Sequence, residues 1–179
     1  GGKTHTLLLL HHVFKNPTLG FEYLSKFDLD KEHKIEKIPD VQVVAIDCRD
    51  IKKHTLWGEI ADKLGKYEQF KEYDEKRKPV NNLDDLKSLF DKPTLLMIDE
   101  LPHYLLESAH EKVGDTYLHK LTNAFVTKLI SVFSGLKNSS LVLTLTDTQQ
   151  MYAEYTKGIK EGIRTIDDYV AQEISSDLR

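Results

Sequence analysis

Three short apolar runs constrain the fold of this chain more than any other feature. They are VQVVAIDC at 41–48, PTLLMIDE at 93–100 and LVLTLT at 141–146. Each is aliphatic or β-branched and is bounded by turn-forming or charged residues, the pattern of a strand buried on both faces. Helical periodicity fills the intervals. Thr4 to Phe14 reads as a mostly buried helix that Asn16-Pro17 stops. Residues 18–38 are mixed, with FEYLSKFDL a short helix and KEHKIEKI a charged, exposed stretch. Thr55 caps a helix to about Gly65, with Leu56, Ile60 and Leu64 on one face. A second capped helix spans 81–90, and 102–113 is a loop or broken helix. Leu118, Leu121, Phe125, Leu129 and Val132 mark a long amphipathic helix that ends before Gly135. The tail from Thr148 reads as helix, loop and helix. Strands alternating with helices predict an α/β layered fold around a mainly parallel sheet. No linker divides it, so residues 1–179 are read as one domain.

Composition narrows the setting. The chain has 179 residues, 40% of them apolar and 30% charged, with a net charge of -4. No chain-wide positive field draws it to nucleic acid. Cys48 is the only cysteine, so no internal disulfide forms, which suits a reducing, cytoplasmic compartment. No run approaches the roughly 20 apolar residues that span a bilayer. The opening leucines are too few, meet His11 and His12, and lack the flanks of a signal peptide. The chain starts without Met and inside a motif, so it is read as a piece of something longer, truncated at both ends.

That motif is Gly1-Gly2-Lys3-Thr4, followed directly by a helix. It matches the end of the phosphate loop G-x-x-x-x-G-K-[ST]. Glycines let backbone N–H groups curl around phosphates. A lysine sets a mobile charge against the β/γ oxygens, a threonine hydroxyl binds Mg2+, and the helix N-terminus favours the same anions. His5 adjoins the loop and is counted with it, although a plain helix residue fits as well. The strand LLMIDE places Asp99 and Glu100 at the carboxyl edge of the sheet, where ligands bind in open α/β folds. Asp99 would hold Mg2+ directly or through water, and Glu100 would polarise the attacking water. Each motif alone is weak, because acids often follow strands as surface charge or helix caps. Their order is stronger: G-K-T and helix, then a strand–helix unit, then a strand ending in D-E, a long helix and a further strand. That is the order of parts in P-loop ATPases with a catalytic glutamate, a three-layer core (the ASCE/AAA-like class) with a mainly parallel sheet. In such a fold the last strand runs beside the D-E strand. Thr144 and Thr146 share one face of it by period two. Thr146 is the candidate to sense the γ-phosphate or attacking water, with Asp147 second.

The other features have plainer readings. His11, His12, His103, His110 and His119 lack metal-like spacing. Cys48 reads as a packed thiol, and KEYDEKRK as a solvated face.

GGKTHTLLLLHHVF resembles the phosphate-loop helix of a prokaryotic family of large AAA-like ATPases with a G-G-K-T-H signature. LLMIDELPHYL resembles their Walker B segment and LVLTLTD their sensor strand. The family's members are often encoded beside DNA methyltransferases and helicases. The resemblance implies ATP hydrolysis coupled to conformational work in a DNA-linked, phage-defence or restriction system. It assigns Lys3 and Thr4 to Walker A, Asp99 and Glu100 to Walker B and, more loosely, Thr146 to the sensor. ATP and Mg2+ are the implied cofactors. DNA or a DNA-modifying protein is the implied partner, no membrane is involved, and a homo-oligomer is one outcome of the truncation. The first half of the loop, the strand before it, and the arginine-bearing segment and helical lid expected after Arg179 are not in the sequence. The competing expectation is a non-catalytic scaffold that binds a methyltransferase or other partner. A nucleotide kinase fits less well, since its substrate supplies the nucleophile.

Overall fold

The computed structural model describes residues 2–145 and, toward the carboxyl end, 162, 164–166 and 168. Gly1, Thr146, Asp147 and most of the tail therefore lie outside the described residues. The chain opens with α1 (Lys3–Lys15), α2 (Pro17–Ser25) and α3 (Leu29–Glu32). Asn16 divides the first two helices and caps the second, its side chain accepting from the Leu19 N–H at 3.3 Å. After β1 (Gln42–Asp47) and a 3₁₀ turn (Cys48–Asp50) come α4 (Leu56–Lys63), α5 (Tyr67–Glu75) and α6 (Leu83–Ser88). β2 (Thr94–Asp99) leads into α7 (Leu101–Glu107), a small antiparallel pair β3 (Lys112–Val113) and β4 (Thr116–Tyr117), α8 (Leu118–Ser134) and β5 (Ser140–Leu143).

Among the described residues β1, β2 and β5 form a parallel sheet in the order β1-β2-β5. The chain is thus a small mixed α/β domain, and the three apolar runs are its three parallel strands. β2 is buried at every position because it lies between the other two and is covered on both faces. Period two sends Leu96 and Ile98 into the main core, with Val44 and Ile46 of β1, Trp57 and Ile60 of α4, Leu105 of α7 and Phe125 and Leu129 of α8. Leu95 and Met97 face the other way, onto Leu7 of α1. Fully burying each such side chain contributes roughly 1.5–3 kcal/mol. The pleat of β2 therefore ties α1 to one face and α4, α7 and α8 to the other.

One reading from the sequence needs correction: α1 is not mostly buried, because a single stripe of it meets the sheet. Leu7 and Val13 are its buried residues, and Leu8 and Leu9 are left 51% and 43% exposed. The charged stretch KEYDEKRK is largely the solvated face expected of it, carried mainly by α5, with Asp74 its one buried residue. The Thr55 cap explains why. Its backbone N–H and hydroxyl both donate to Asp74 Oδ1, at 2.6 and 2.7 Å, and its hydroxyl accepts from the Gly58 N–H at 3.1 Å. Tyr67 donates to Asp74 Oδ2 at 3.0 Å, and His54 Nδ1 lies 2.7 Å from the same oxygen. A Cβ at Gly58 would come within 2.3 Å of this carboxylate, so the close approach of α4 to α5 requires glycine there. Residues 102–113 form the broken helix expected of them: α7 ends at Glu107, a 3₁₀ turn follows over Ser108–His110, and β3 closes the stretch. The β3–β4 turn uses Gly114 at φ +58, a left-handed conformation that glycine adopts without strain.

Candidate functional site

Parallel strands bring their carboxyl ends to one edge of the sheet. The register sets Asp47 beside Asp99, and Ile98 beside Leu143. The same edge receives the start of α1, because Leu7 and its neighbours hold that helix across the sheet with its N-terminus at the strand ends. No acidic residue occupies the first turn of α1, and Gly2 offers no side-chain cap. The first N–H groups of this helix are left to whatever binds there.

Residues far apart in sequence meet at this edge. The Thr4 hydroxyl donates to Asp99 Oδ2 at 3.2 Å across 95 positions. Lys3 Nζ donates to the Leu145 carbonyl at 3.1 Å across 142 positions. The Thr144 hydroxyl donates to Asp99 Oδ1, and the Glu100 N–H reaches both Asp99 Oδ1 at 3.0 Å and Thr144 Oγ1 at 3.1 Å. Asp99 is 8% exposed and Thr144 9%, so the bond between them is buried, whereas Lys3 makes its bond at the exposed surface. Glu100 sits at φ +56, ψ +34 as it starts α7. A non-glycine residue in that left-handed region costs roughly 1–2 kcal/mol, and such strain gathers at functional positions.

Of the residues singled out in the sequence, Lys3, Thr4, Asp99 and the backbone of Glu100 are therefore joined, with Gly2 at the start of α1. His5 is exposed on α1. Gly1 and the sensor candidate Thr146 are outside the described residues. The β5-side hydroxyl that reaches Asp99 is that of Thr144, the other member of the same period-two pair. The deciding signal was the register, which aligns Leu143 with Ile98 and so carries Thr144 to the D-E turn.

Asp47 and Arg49 were not singled out. The Arg49 Nε donates to Asp47 Oδ1 at 2.9 Å and Nη2 to Oδ2 at 2.5 Å. This guanidinium holds the Asp47 carboxyl below the ordinary carboxylate range. The D-x-R spacing at a strand end was the available clue. Cys48 beside them is fully buried, and burial pushes its thiol pKa up, which keeps it protonated and inert.

The Thr4–Asp99 pair offers one hydroxyl and one carboxylate oxygen, hard donors of the kind Mg2+ takes. Among the described residues no three His, Cys, Asp or Glu side chains converge as a metal-holding group. A cleft of about 380 Å³ opens beside Thr4 and Asp99, between α1 and α4. No helix among the described residues is long and apolar enough to cross a membrane.

No curated protein and no solved structure is significantly similar to the chain. A family model does match, and it overturns the resemblance to the AAA-like ATPases together with the P-loop and Walker labels that came with it. That resemblance rested on three short stretches, and short stretches describe local chemistry rather than a family. The model described as the DUF499 N-terminal domain covers residues 1–177, and the chain belongs to that family.

Proposed function

We propose that this domain binds and hydrolyses ATP with Mg2+ at the edge where α1 meets β2. The observation that carries the reading is the Thr4–Asp99 hydrogen bond. It joins a hydroxyl in the first turn of a helix to a carboxylate at a strand end, with a lysine and a second carboxylate adjacent to each. The finer architecture proposed with it is a three-layer nucleotide-hydrolase core, supported by the burial of β2 from both sides.

Bound Mg2+ would neutralise charge on the β- and γ-phosphates as it develops. Thr4 and Asp99 would hold it. Thr144 and the Glu100 N–H keep the Asp99 carboxylate oriented by occupying Oδ1 and leaving Oδ2 toward Thr4. Among the described residues Lys3 Nζ bonds only to the Leu145 carbonyl, at the exposed surface, so its ammonium can turn to a phosphate oxygen at little cost. The uncapped N–H groups of α1 add fixed positive dipoles facing the same anion. The Glu100 carboxylate would accept the proton of the attacking water. Conformational work on DNA or on a DNA-modifying protein is the proposed output.

The test is phosphate release from ATP by the natural full-length protein carrying this domain, with and without Mg2+ and with and without DNA. Lys3→Ala and Glu100→Gln are the comparison variants. Turnover that needs Mg2+ and falls roughly 10²–10⁴-fold in Glu100→Gln supports the proposal. Absence of nucleotide binding and turnover in the wild type overturns it in favour of a scaffold role.

A further inference from the structure

Three segments far apart in sequence, 52–54, 76–78 and 111–117, meet around Arg77. Its Nη1 donates to the Lys53 carbonyl at 3.2 Å, and its Nε donates to Glu111 Oε1 at 3.0 Å. Arg77 follows α5 at φ +52, a left-handed conformation that glycine or asparagine ordinarily supplies at a helix end. An arginine there carries backbone strain, and its guanidinium ties two further segments to the end of α5. The β3–β4 pair is fixed to the same place, because the Leu118 N–H donates to the Glu111 carbonyl at 2.9 Å.

Positive charge collects on the face so formed. The chain has a net charge of -4, yet these three segments hold six lysine or arginine side chains against two carboxylates, Glu111 and Asp115. Arg77 takes Glu111, and Lys76 takes Glu72 at 2.6 Å, which leaves Asp115, in the β3–β4 turn, as the acid not held by a cation. Lys52 donates to the Arg49 carbonyl at 2.7 Å. Lys52, Lys53, Lys78 and Lys112 are all exposed, and among the described residues none of them forms an ion pair with a carboxylate.

The β3–β4 ladder adds a ring. Its register sets Lys112 opposite Tyr117, so the two side chains leave the pair on one side. Tyr117 is 41% exposed, the one large exposed apolar side chain in these segments. A membrane-binding face sets several apolar side chains beside its lysines; here a single flat ring stands beside them. Lysines without partners around an aromatic ring suit a single strand, whose phosphates pair with the ammonium groups while a base stacks on the ring.

We propose that this face binds a single-stranded nucleic acid, with Lys52, Lys53, Lys78 and Lys112 along the phosphates and a base stacked on Tyr117. The inference deepens the DNA-linked output of the function proposed above, and it uses none of the residues assigned there to ATP or Mg2+.

The probe is a fluorescein-labelled oligothymidine of about twelve nucleotides, titrated without ATP into the natural full-length protein and followed by anisotropy over a range of salt. The expected result is saturable binding whose log affinity falls with log salt at a slope of about −3, from four phosphate contacts at about −0.7 each. Lys53→Gln combined with Lys112→Gln should take away about half of that slope. Tyr117→Ala should weaken binding about tenfold, and Tyr117→Phe should leave it near wild type. No saturable binding, or binding unchanged by both the lysine pair and Tyr117→Ala, would overturn the proposal. So would equal binding of a duplex of the same length, or displacement by polyglutamate at equal charge. Recruitment to phosphatidylserine vesicles that the two lysine substitutions abolish would overturn it too, since the partner would then be a membrane. ATP turnover is measured on the same preparations. A protein that binds the oligonucleotide through these residues and never hydrolyses ATP loses the nucleotide reading and keeps this one.

Discussion

Two buried carboxylates, Asp74 and Asp99, are surrounded by hydroxyl and N–H donors, yet they do different work. Every partner of Asp74 lies within 20 positions of it: Thr55, His54 and Tyr67, with Arg77 at 3.7 Å. Its oxygens are fully engaged in tying the start of α4 to α5. Asp99 draws Thr4 and Thr144 from 95 and 45 positions away, and it faces an open cleft. Burial and satisfaction alone do not mark a functional carboxylate. The contrast is that Asp74 is enclosed by partners that have no other task, whereas Asp99 is held on one side and left addressable on the other.

Asp99→Asn should produce the largest effect and the sharpest contrast. An amide oxygen still accepts from Thr144 and the Glu100 N–H, and its NH₂ can donate to the Thr4 hydroxyl. Stability should therefore change by less than about 1 kcal/mol, while Mg2+-dependent ATP turnover falls at least about 10²-fold. Parallel thermal melts and turnover assays would show it, and an unfolded Asp99→Asn protein would erase the distinction between the two acids.

Asp74→Ala should behave the opposite way. It strands the Thr55 N–H and hydroxyl and the Tyr67 hydroxyl, a loss of about 3 kcal/mol in a chemical denaturation series. Mg2+-dependent turnover below the melting range should stay near wild type.

Glu100→Gly relieves the left-handed backbone at φ +56. An increase of about 1 kcal/mol in stability is expected, together with loss of turnover. A stability loss instead would mean that the Glu100 side chain packs rather than reacts.

The smallest effect is a pH dependence. Burial pushes the Asp74 carboxyl up, but hydrogen bonds from His54, Thr55 and Tyr67 outweigh it and hold the pKa below the ordinary value. With the folded value depressed, the stabilisation is fully present above about pH 4 and is lost as pH falls through the folded pKa. The stability difference between wild type and Asp74→Ala should therefore shrink on acidification below pH ~4. A constant difference would show that Asp74 contributes packing and not charge-assisted hydrogen bonding.

Much of the site was legible before folding was considered. Gly2-Lys3-Thr4 ahead of a helix and Asp99-Glu100 after an apolar strand each carry a local chemical logic. Local pattern pointed to Thr146, with Asp147 second; both lie outside the described residues, and the hydroxyl that reaches Asp99 is that of Thr144 on the same face of the strand. The solvated reading of KEYDEKRK fits most of that stretch, but nothing there signals that one of its acids is the acceptor for a helix cap 19 positions earlier. The mostly buried reading of Thr4 to Phe14 failed because four consecutive leucines do not show which side of a helix is covered, and only one stripe of α1 meets the sheet.

Apolar runs and helical periods determined by themselves that this chain makes parallel strands separated by helices, because burial on both faces demands continuous apolar strands and one-sided burial demands amphipathic helices. The tertiary structure alone decided which strands are neighbours, that Thr4 meets Asp99 and that Thr144 completes the contact. Those outcomes depend on register and on packing between residues distant in sequence, and no local window contains both partners.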